Sequence, residues 1–515
     1  MTSKTIITFT IIVALASALS GVVVYHFTEN SSTSPNISTN SGISITTQTA
    51  TPTLFQGVTR TYYIAADEVK WNYAPTGMNM ITGLSLAANN KTALYTINGK
   101  DRIGSVYLKC LYEGYTDDTF TTKQTRTAQW QHLGLLGPVI HAAVGDTIKV
   151  VFKNNCRFPV SMHPHGVLYD KASEGSPYND GIPESEKLGD SVAPNGTYTY
   201  TWYVPERAGP GPDDPSSIIW MYHSHVDEVG DTYAGLLGPI IITRHGEANP
   251  DGTPKGVDRE FVTMFSIFDE SRSPYFDYNI NTFAQDPSSV DQNDPDFQES
   301  NLKHSINGYI FGNLPGLTMK QYTHVRWYVV GVGTEQDLHT PHWHGNTLLM
   351  DGMRTDMVEL LPMSMKTLDM YPDNPGTWQL HCHVNDHIQA GMLSLYTVEK
   401  NNDTQGTNSS SNGTLKISLS TDPGTLVADE PSRLAISFLD SKTNTLEEHV
   451  DYKVTIMKGN DQVFGTSFLH TAEGSVTIPY QFQDAGTYNV MVEVDGIYFM
   501  PISEITQFSI NVGNQ

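Results

Sequence analysis

The chain has 515 residues, which is enough for three or four domains that each bury a hydrophobic core. Its 55 Asp and Glu against 30 Lys and Arg leave a formal net charge of −25. Such a charge argues against nucleic-acid binding and suits a soluble, exported protein that attracts cations.

The N-terminal residues 1–28 are predicted to be a signal peptide or a membrane anchor. The stretch 6–24 is uncharged and mostly apolar, follows Lys4, and approaches the roughly 20 residues that span a bilayer. An Ala-Ser-Ala sequence at 16–18 offers a cleavage site, so cleavage and retention both stay open. In either case we expect the rest of the chain to be extracytoplasmic, after a flexible linker at 29–58 that is rich in Ser, Thr and Asn.

Short β-type segments separated by Gly and Pro follow, for example TIKVVFKNN and TYTYTWYV. No long stretch has helical periodicity, so an all-β fold is expected. An internal repeat divides this region, because HSH followed by AGLLGPIII in the first half matches HCH followed by AGMLSLYTV in the second. We therefore predict two tandem β-sandwich domains, over 59–246 and 257–400.

A second polar break at 401–413 is predicted to be a linker. Segments beyond it, among them RLAISFL and GTYNVMVEV, alternate apolar and polar residues at intervals typical of a small sandwich. We predict an immunoglobulin-like β-sandwich over 414–515. Its histidines, His449 and His470, stand singly in the sequence and are interpreted as structural or solvated residues.

The run HCHVNDHIQAGM, from His381 to Met392, carries the most specific chemistry of the chain. It combines a thiolate, an imidazole and a thioether, and a His2Cys set with a weak axial Met is the ligand combination of electron-transfer blue-copper sites. Because neighbouring strand residues point to opposite faces, His381 and His383 aim away from the Cys382 sulfur, toward a second metal centre. One short strand is therefore predicted to join a one-electron copper site to another metal site.

Three further histidine clusters supply ligands for that second centre: HPHG at 163–166, HSH at 223–225 and HTPHWH at 339–344. The four clusters together hold ten of the 18 histidines. With His339 and His387 reserved for the blue-copper site, eight imidazoles remain, which suits three copper ions. A lone His-X-His pair is as often structural as metal-binding, but four clusters with a Cys in the last favour copper.

These clusters resemble the four copper motifs of the multicopper oxidases, HXHG, HXH, HXXHXH and HCHXXXHXXXXM, without a missing ligand. Residues 59–400 are similar more narrowly to the ceruloplasmin and hephaestin branch, through TYYIAADEVKWNYAPTGMN, DFQESNLKHSINGYIFGNLPGLTM and DLHTPHWHGNT. The resemblance implies that both sandwiches are cupredoxin-like domains. It also implies four copper ions (Cu) per functional unit, one of type 1, one of type 2 and two of type 3.

The resemblance assigns the copper ligands and the electron path. The type 1 copper would be held by His339, Cys382, His387 and Met392. The type 2 copper would be held by His163 and His342, and the type 3 pair by His165, His223, His225, His344, His381 and His383. Electrons would pass from Cys382 through His381 or His383 to the trinuclear cluster.

In the first domain Ser224 replaces the cysteine and no histidine matches His387, so only the second domain can hold a type 1 copper. The trinuclear cluster needs four histidines from each domain. Two-domain members of this superfamily close a ring of three chains, with domain 1 of one subunit facing domain 2 of the next. The resemblance therefore implies a homotrimer, and a monomer whose own domains face each other is the alternative.

The resemblance implies an oxidase that couples four one-electron oxidations to the reduction of O2 to water, with Fe(II) as the favoured donor. In the ceruloplasmin branch Fe(II) docks on a Glu, a His and an Asp, and the matching positions here are Glu299, His304 and Asp386. Their hard oxygens and single imidazole suit iron. Glu335 could add a further acidic ligand. Alternatively, Glu299 is a solvated charge and Asp386 only orients the neighbouring histidine.

Other functions keep the same copper sites or lose some of them. A laccase-like phenol oxidase needs an open apolar pocket over His339 and His387, and a Cu(I) oxidase favours exposed methionines such as Met363, Met365 and Met370. Copper nitrite reductase, a different class, lacks the full type 3 set and carries its type 1 cysteine in the first domain, which counts against it. Copper storage or a structural relic is disfavoured because every ligand is present.

The two cysteines outside the copper motif are Cys110 and Cys156. Both lie near the ends of predicted strands. In an oxidising compartment we expect them to form a disulfide, with two buried free thiols as the alternative.

Overall fold

The computed structural model describes residues 57–334, 336–400, 407–409, 413–498 and 500–514. The predicted signal or anchor, nearly all of the first linker, most of the second linker and Glu335 lie outside the described residues. In the described ranges strands dominate the secondary structure. None of the helices found there is both long enough and apolar enough to cross a membrane.

Alternating burial builds the first sandwich. Its strands are β1 (Thr59–Asn72), β2 (Met78–Asn79), β3 (Leu84–Ser85), β4 (Val106–Tyr115), β5 (Ile140–Ala143), β6 (Thr147–Asn154), β7 (His163–Pro164), β8 (Thr197–Tyr203), β9 (Ser217–His223) and β10 (Leu237–Thr243). On β6 the side chains of Ile148, Val150 and Phe152 are buried while the residues between them are more exposed, the period of two of a half-buried strand. Sheet β4-β1-β6-β8 packs on sheet β5-β10-β9-β7 across a common core, with β1/β6 and β5/β10 parallel.

The second sandwich repeats this topology. Its strands are β11 (Arg259–Asp269), β12 (Leu302–Ile306), β13 (Thr318–Lys320), β14 (Val325–Val332), β15 (Pro341–Trp343), β16 (Leu348–Met350), β17 (Met353–Thr355), β18 (Met365–Met370), β19 (Gly376–Cys382) and β20 (Leu393–Glu399). The sheets are β12-β11-β14-β18-β16-β17 and β13-β20-β19-β15, again with two parallel pairs, β11/β14 and β13/β20. The predicted fold class, two tandem cupredoxin-like sandwiches, is thereby confirmed.

The third sandwich has its own core and contacts the second one. Its strands are β21 (Thr407–Ser409), β22 (Leu415–Asp422), β23 (Leu426–Val427), β24 (Pro431–Asp440), β25 (Val450–Lys458), β26 (Asp461–Gly465), β27 (Leu469–Thr471), β28 (Ser475–Gln481), β29 (Gly486–Ile497) and β30 (Met500–Gly513). Sheet β21-β22-β24-β28 packs on β23-β30-β29-β25-β26, and β27 pairs with β25. Arg433 on β24 donates to the backbone oxygen of Gly256 at 2.9 Å, which ties this sandwich to the start of the second.

Helices are short and lie in the connections. The α-helices are α1 (Asn90–Thr96), α2 (Glu228–Ala234), α3 (Phe276–Phe283), α4 (Pro295–Ser300) and α5 (Asn385–Ala390). The 3-10 helices are Leu86–Ala88, Ala128–Leu133, Lys171–Ser173, Glu184–Glu186, Leu188–Asp190, Glu206–Ala208, Glu270–Arg272 and Pro287–Ser289. Cys110 on β4 and Cys156 after β6 form a disulfide within the first sandwich.

A second apolar core joins the first two sandwiches. Met221 on β9 and Leu237 on β10 pack with Val262 and Met264 on β11 and with Tyr328 on β14. All five side chains are fully or almost fully buried. Because burial of apolar surface is the main stabilising contribution between packed elements, this core fixes the two sandwiches as one body.

One buried ion pair lies within this inter-domain core. Lys109 on β4 and Glu270 after β11 are both completely buried, and the ammonium and Tyr73 hydroxyl donate to the same carboxylate oxygen. Lys109 also donates to the backbone oxygen of Tyr233 at 2.7 Å. Removal of either partner would leave an uncompensated charge in the core, which destabilises the folded state.

Lys109→Met is therefore expected to destabilise the chain by about 3–5 kcal/mol, because Glu270 would be left buried without its counter-ion. Urea unfolding followed by intrinsic fluorescence measures the loss. The exposed pair of Arg354 and Glu473 is the matched control, and Arg354→Met should cost at most about 1 kcal/mol. Equal, small losses in both variants would show that the buried pair does not stabilise the domain contact.

Candidate copper centres

The three strongest ligands predicted for type 1 copper meet at one end of the second sandwich. Cys382 ends β19, His387 lies on α5, and His339 precedes β15. Cys382 Sγ lies 3.9 Å from His339 Nδ1 and 3.6 Å from His387 Nδ1, and these two nitrogens are 3.2 Å apart. Met392 is completely buried beside them, and Cys382 N donates to its backbone oxygen. The predicted set is thus brought together.

The surroundings of Cys382 favour its thiolate form. Burial acts to raise the pKa of the thiol, but hydrogen bonds with His339, His387 and the backbone lower that pKa to about 6. One of these backbone bonds is donated by Thr340 N to Sγ at 3.5 Å. Since the thiolate is the form that binds metal, the site is prepared for a soft metal ion.

A carboxylate that sequence analysis missed orients His339. Its Nε2 lies 3.2 Å from Asp337 Oδ1, and both side chains are almost completely buried. Asp337 is itself held by the backbone N–H groups of Ile267 and Thr334. Burial acts to lower the pKa of His339, but Asp337 and Cys382 outweigh it and raise that pKa. Metal-binding histidines commonly donate their second ring N–H to such a carboxylate, and the aspartate of the DLHTPHWHGNT stretch was the available signal.

The other eight predicted ligands form two half-sites of four histidines. The first half-site is His163, His165, His223 and His225; the second half-site is His342, His344, His381 and His383. Strand pairing aligns them, since β7 pairs with β9 and β15 with β19. Three imidazoles in each half-site bring ligand atoms within 4.8 Å of one another, with His165 to His223 and His344 to His381 at 3.0 Å between Nε2 atoms.

The remaining imidazole of each half-site lies beside the other three. The ring centroid of His225 is 5.2 Å from that of His163, and the centroid of His383 is 5.4 Å from that of His342. The internal repeat is therefore visible in the side chains as well as in the strands.

Backbone oxygens fix how these imidazoles point. Nδ1 of His163, His223 and His381 donates to a backbone oxygen at 2.7, 3.0 and 2.8 Å, respectively, which leaves Nε2 facing the neighbouring histidines. Burial and nearby imidazoles lower the pKa of His165 to about 4 and that of His223 to about 3. Neutral imidazoles together with a thiolate are the donors that copper prefers, so the residues fit the metal.

Two carboxylates that the sequence did not single out stand beside the half-sites. Glu228 on α2 lies 3.5 Å from His225 Nε2, and Asp356 after β17 lies 3.4 Å from His342 Nε2. Both carboxylates are about half exposed in the single chain. Each of them therefore links one imidazole of a half-site to the solvent-exposed surface.

Within the described part of one chain, the two half-sites form separate groups. No cluster of three or more ligand atoms within 4.8 Å combines histidines from both of them. Each group thus offers four of the eight imidazoles expected in a trinuclear cluster.

The first sandwich holds a different set at the positions of the type 1 ligands. The residues in place of His339, Cys382, His387 and Met392 are Val160, Ser224, Asp231 and Leu236. Ser224 N donates to Leu236 O, and Leu236 N donates to Asp231 O, as the corresponding groups do in the second sandwich. Ser224 Oγ donates to the Asp231 carboxylate at 2.5 Å, and burial raises the pKa of Asp231 to about 6.

The residues predicted to bind iron surround Tyr95 on α1 and do not close into one cluster. The Tyr95 hydroxyl donates to Glu299 Oε1 at 2.5 Å, and the ring of His304 lies 6.1 Å from that of Tyr95. The ring centroids of His304 and His387 are 5.3 Å apart. Asp386, which precedes His387 in the chain, is exposed. The ligand atoms of Glu299, His304 and Asp386 are not among the sets within 4.8 Å.

The electrostatics of this region suit a cation. Burial and the carboxylates of Glu299 and Asp386 raise the pKa of Tyr95 far above its usual value, so Tyr95 remains a hydrogen-bond donor. Burial and His387 lower the pKa of His304 to about 3, which keeps its imidazole neutral. His304 Nδ1 is buried without a hydrogen-bond partner among the described residues.

Comparison with known proteins finds a family and several relatives for this chain. Two family models described as multicopper oxidase match residues 114–247 and 282–402. The chain is 45% identical over 343 residues to "Ferroxidase HEPHL1" of Homo sapiens, covering 66% of this chain and 29% of that protein. It is 43% identical over 354 residues to hephaestin of Homo sapiens, covering 68% and 30%, respectively. Against ceruloplasmin of Homo sapiens it is 43% identical over 346 residues, covering 66% and 32%.

The chain thus spans 29–32% of the length of these relatives. The matched region of this chain contains both half-sites and the Cys382 site. The chain therefore belongs to the multicopper oxidase family, in which it resembles the ceruloplasmin and hephaestin branch.

Proposed function

We propose that this chain is a ferroxidase, which oxidises Fe(II) and reduces O2 to water. The observation that carries the proposal is the polar approach to His387, formed by His304 and by the Glu299 and Asp386 carboxylates around Tyr95. One of the relatives named above, HEPHL1 of Homo sapiens, is named a ferroxidase, which supports the same activity.

We propose four copper ions per functional unit, bound as the family resemblance assigns them. His339, Cys382, His387 and Met392 would hold type 1 copper, and the two half-sites would hold one type 2 and two type 3 ions. Bound copper would supply one-electron redox chemistry and O2 reduction. The protein supplies neutral imidazoles, a thiolate and the orientation of each donor.

The chain also joins the two kinds of site. His381 Nδ1 donates to the backbone oxygen of Cys382 at 2.8 Å, while His381 Nε2 faces the second half-site. Cys382 and His381 are thus connected by a hydrogen bond as well as by the peptide. This short connection is the proposed path for electrons.

Glu299 and Asp386 have the proposed role of docking the substrate ion. Tyr95 holds Oε1 of the half-buried Glu299, and Asp386 is exposed, so the two carboxylates would offer hard oxygen donors to a solvated Fe(II). His304 offers as a neutral nitrogen donor its buried Nδ1, which finds no hydrogen-bond partner in the part of the chain that the structure describes. Because Asp386 is exposed, the Fe(III) product is expected to leave from that side by exchange with solvent.

The structure favours Fe(II) over the other donors considered. His339 and His387 are only 1% and 6% exposed, and the approach to His387 is polar, which suits a cation better than a phenol. Of the methionines considered for Cu(I), Met370 is completely buried, whereas Met363 and Met365 line a groove beside His165. These thioethers therefore face the first half-site rather than the proposed docking site.

We further propose that the chain works as a homotrimer outside the cytoplasm. The two half-sites of one chain form separate groups, so a partner chain is needed to combine eight histidines. A head-to-tail ring of three chains would bring the first half-site of each chain to the second half-site of the next. The Cys110–Cys156 disulfide supports an oxidising, extracytoplasmic compartment, and the N-terminal segment would direct export or anchor the chain there.

The experiment that tests the ferroxidase compares Fe(II) and a phenol as donors in the copper-loaded Glu299→Ala/Asp386→Ala variant. We expect the KM for Fe(II) to rise about 100-fold or more, because the hard oxygen ligands are removed, while phenol turnover is retained. Asp277→Ala/Asp296→Ala is the matched control, since it removes two exposed carboxylates of the same charge from α3 and α4.

Each other outcome has a distinct meaning. Equal losses with Fe(II) and with the phenol would show that the two carboxylates only support the type 1 site. An absence of O2 uptake with every donor, together with reduction of nitrite, would overturn the oxidase itself.

A further inference from the structure

The third sandwich brings together two histidines that stand apart in the sequence. His449 Nδ1 lies 3.2 Å from His470 Nε2, although 21 residues separate them. The sequence interpretation of each as a single structural or solvated residue treats them as unrelated. Their contact makes them a candidate pair of ligands.

Strand pairing creates this contact. Asp451 on β25 and His470 on β27 are direct cross-strand partners. His449 directly precedes β25, and the contact of its Nδ1 with His470 Nε2 places it beside this pair. Three side chains with metal-binding atoms thus share one small area of the sheet.

A carboxylate orients one imidazole of the pair. His470 Nδ1 donates to Asp451 Oδ1 at 2.8 Å, so His470 Nε2 is turned toward His449. The opposite residue on β29 is Gly496, and a Cβ there would lie 2.7 Å from Asp451 Oδ2. The glycine therefore leaves space for the carboxylate. This carboxylate–histidine arrangement is the one that fixes metal-binding histidines in proteins.

The other imidazole is also held in place. Tyr498 N donates to the backbone oxygen of His449 at 2.9 Å, and the two rings lie 5.5 Å apart. His449 has a φ of 54°, in the left-handed region, so its backbone conformation depends on such contacts. The Tyr498 hydroxyl donates to Glu448 at 3.1 Å, which places a further carboxylate nearby.

We propose that His449 and His470 bind one divalent ion of the Zn2+ or Cu2+ type, with Asp451 as the positioning residue. Two nitrogens bound at 2.0–2.1 Å to one tetrahedral ion are roughly 3.3 Å apart, close to the separation found here. Imidazole ligands select Zn2+ and Cu2+ over Mg2+ and Ca2+, which prefer oxygen. The side chains of His470 and Asp451 are more than one-third exposed, so the ion can enter from solvent, and water or a further protein ligand completes its shell.

This site is independent of the proposed oxidase, since it lies on the third sandwich and shares no residue with the half-sites. The ion would link the short strand β27 to the beginning of β25. Its presence would hold together a part of the sheet that has only three paired residues.

The test uses the full chain, loaded with copper and dialysed to remove weakly bound metal. Equilibrium dialysis against micromolar Zn2+, and in a second arm Cu2+, is followed by elemental analysis. We expect the wild type to bind one more ion per chain than His449→Ala/His470→Ala. Asp451→Asn keeps both imidazoles and should weaken binding about 10–100-fold. The two arms show which ion binds more tightly.

His245→Ala is the matched control, because it removes a histidine that is in neither half-site and not on the third sandwich. It should bind as much metal as the wild type. Equal uptake of both ions by the wild type and the double histidine variant would overturn the proposal. Unchanged affinity in Asp451→Asn would overturn the role of the carboxylate.

Discussion

Replacing Cys382 with serine is expected to lower Fe(II)-dependent O2 uptake by about a thousandfold or more and to remove the blue colour of the copper-loaded protein. Cys382 is the only thiolate donor among the predicted ligands, and it lies between the type 1 histidines and His381. A serine hydroxyl is a hard donor that stays protonated near neutral pH. The variant would therefore lose both the type 1 site and the electron path.

The first sandwich already shows what serine does at this position. Ser224 occupies the place of the cysteine, and its hydroxyl donates to the buried Asp231 carboxylate. Val160 and Leu236 replace the histidine and the methionine around it. The same backbone thus folds around a hydrogen-bonded polar pair, so Cys382→Ser is expected to fold and to retain both half-sites.

Measurement of Cys382→Ser needs three readouts: visible absorption, copper content per chain, and O2 uptake with Fe(II). We expect the copper content to fall by one ion per chain while the colour and the turnover disappear. Met392→Leu is the control, because the first sandwich has Leu236 at that position and the axial thioether is a weak ligand. It should keep the colour and most of the turnover. Persistent Fe(II) oxidation in Cys382→Ser would show that electrons enter elsewhere.

The sequence predicted which candidate copper ligands lie close together because these residues lie in short motifs on paired strands. The spacing of the HCH and HXH motifs alone places alternate side chains on one face, and the repeat places equivalent strands in both sandwiches. The internal repeat also aligned Ser224 with Cys382, and the two residues make equivalent backbone hydrogen bonds in their sandwiches. These features depend on local geometry, which sequence patterns carry.

Contacts between distant segments were not predictable in the same way. Tyr95 and Glu299 are separated by 204 residues, and only the packing of α1 near α4 brings them together. Lys109 and Glu270 meet only because the core between the two sandwiches brings them together. The sequence around each residue gives no indication that these charged side chains are buried. His449 and His470 meet because β25 pairs with β27, which their positions in the sequence do not indicate.

Two inactive variants of this chain are expected to restore each other's activity when they assemble together. His163→Ala/His165→Ala destroys the first half-site, and His342→Ala/His344→Ala destroys the second half-site. In a ring of three chains, an intact trinuclear cluster forms wherever a chain with a good first half-site meets a neighbour with a good second half-site. Random mixing of equal amounts gives about a quarter of the wild-type clusters, and a corresponding share of the O2 uptake.

The restored clusters should be fully connected to an electron donor. The neighbour that contributes the good second half-site also carries an intact Cys382, which is linked to His381 in the same chain. Each variant alone should show no turnover, because every cluster in its ring lacks two imidazoles. The activity recovered in the mixture therefore measures assembly between different chains rather than residual activity of either variant.

Coexpression of the two variants, followed by native mass spectrometry and O2 uptake with Fe(II), distinguishes a ring from a monomer. If the protein were a monomer, the mixture would give no activity, since neither variant chain keeps all eight of the cluster histidines. The matched control pairs His163→Ala/His165→Ala with His223→Ala/His225→Ala, two variants damaged in the same half-site, and it should stay inactive even in mixed trimers. Mixed trimers without recovered activity in the first pairing would mean that the two half-sites of different chains do not meet. Because each half-site offers only four imidazoles to its surroundings, the eight histidines would then have to combine within one chain after a rearrangement of its two sandwiches.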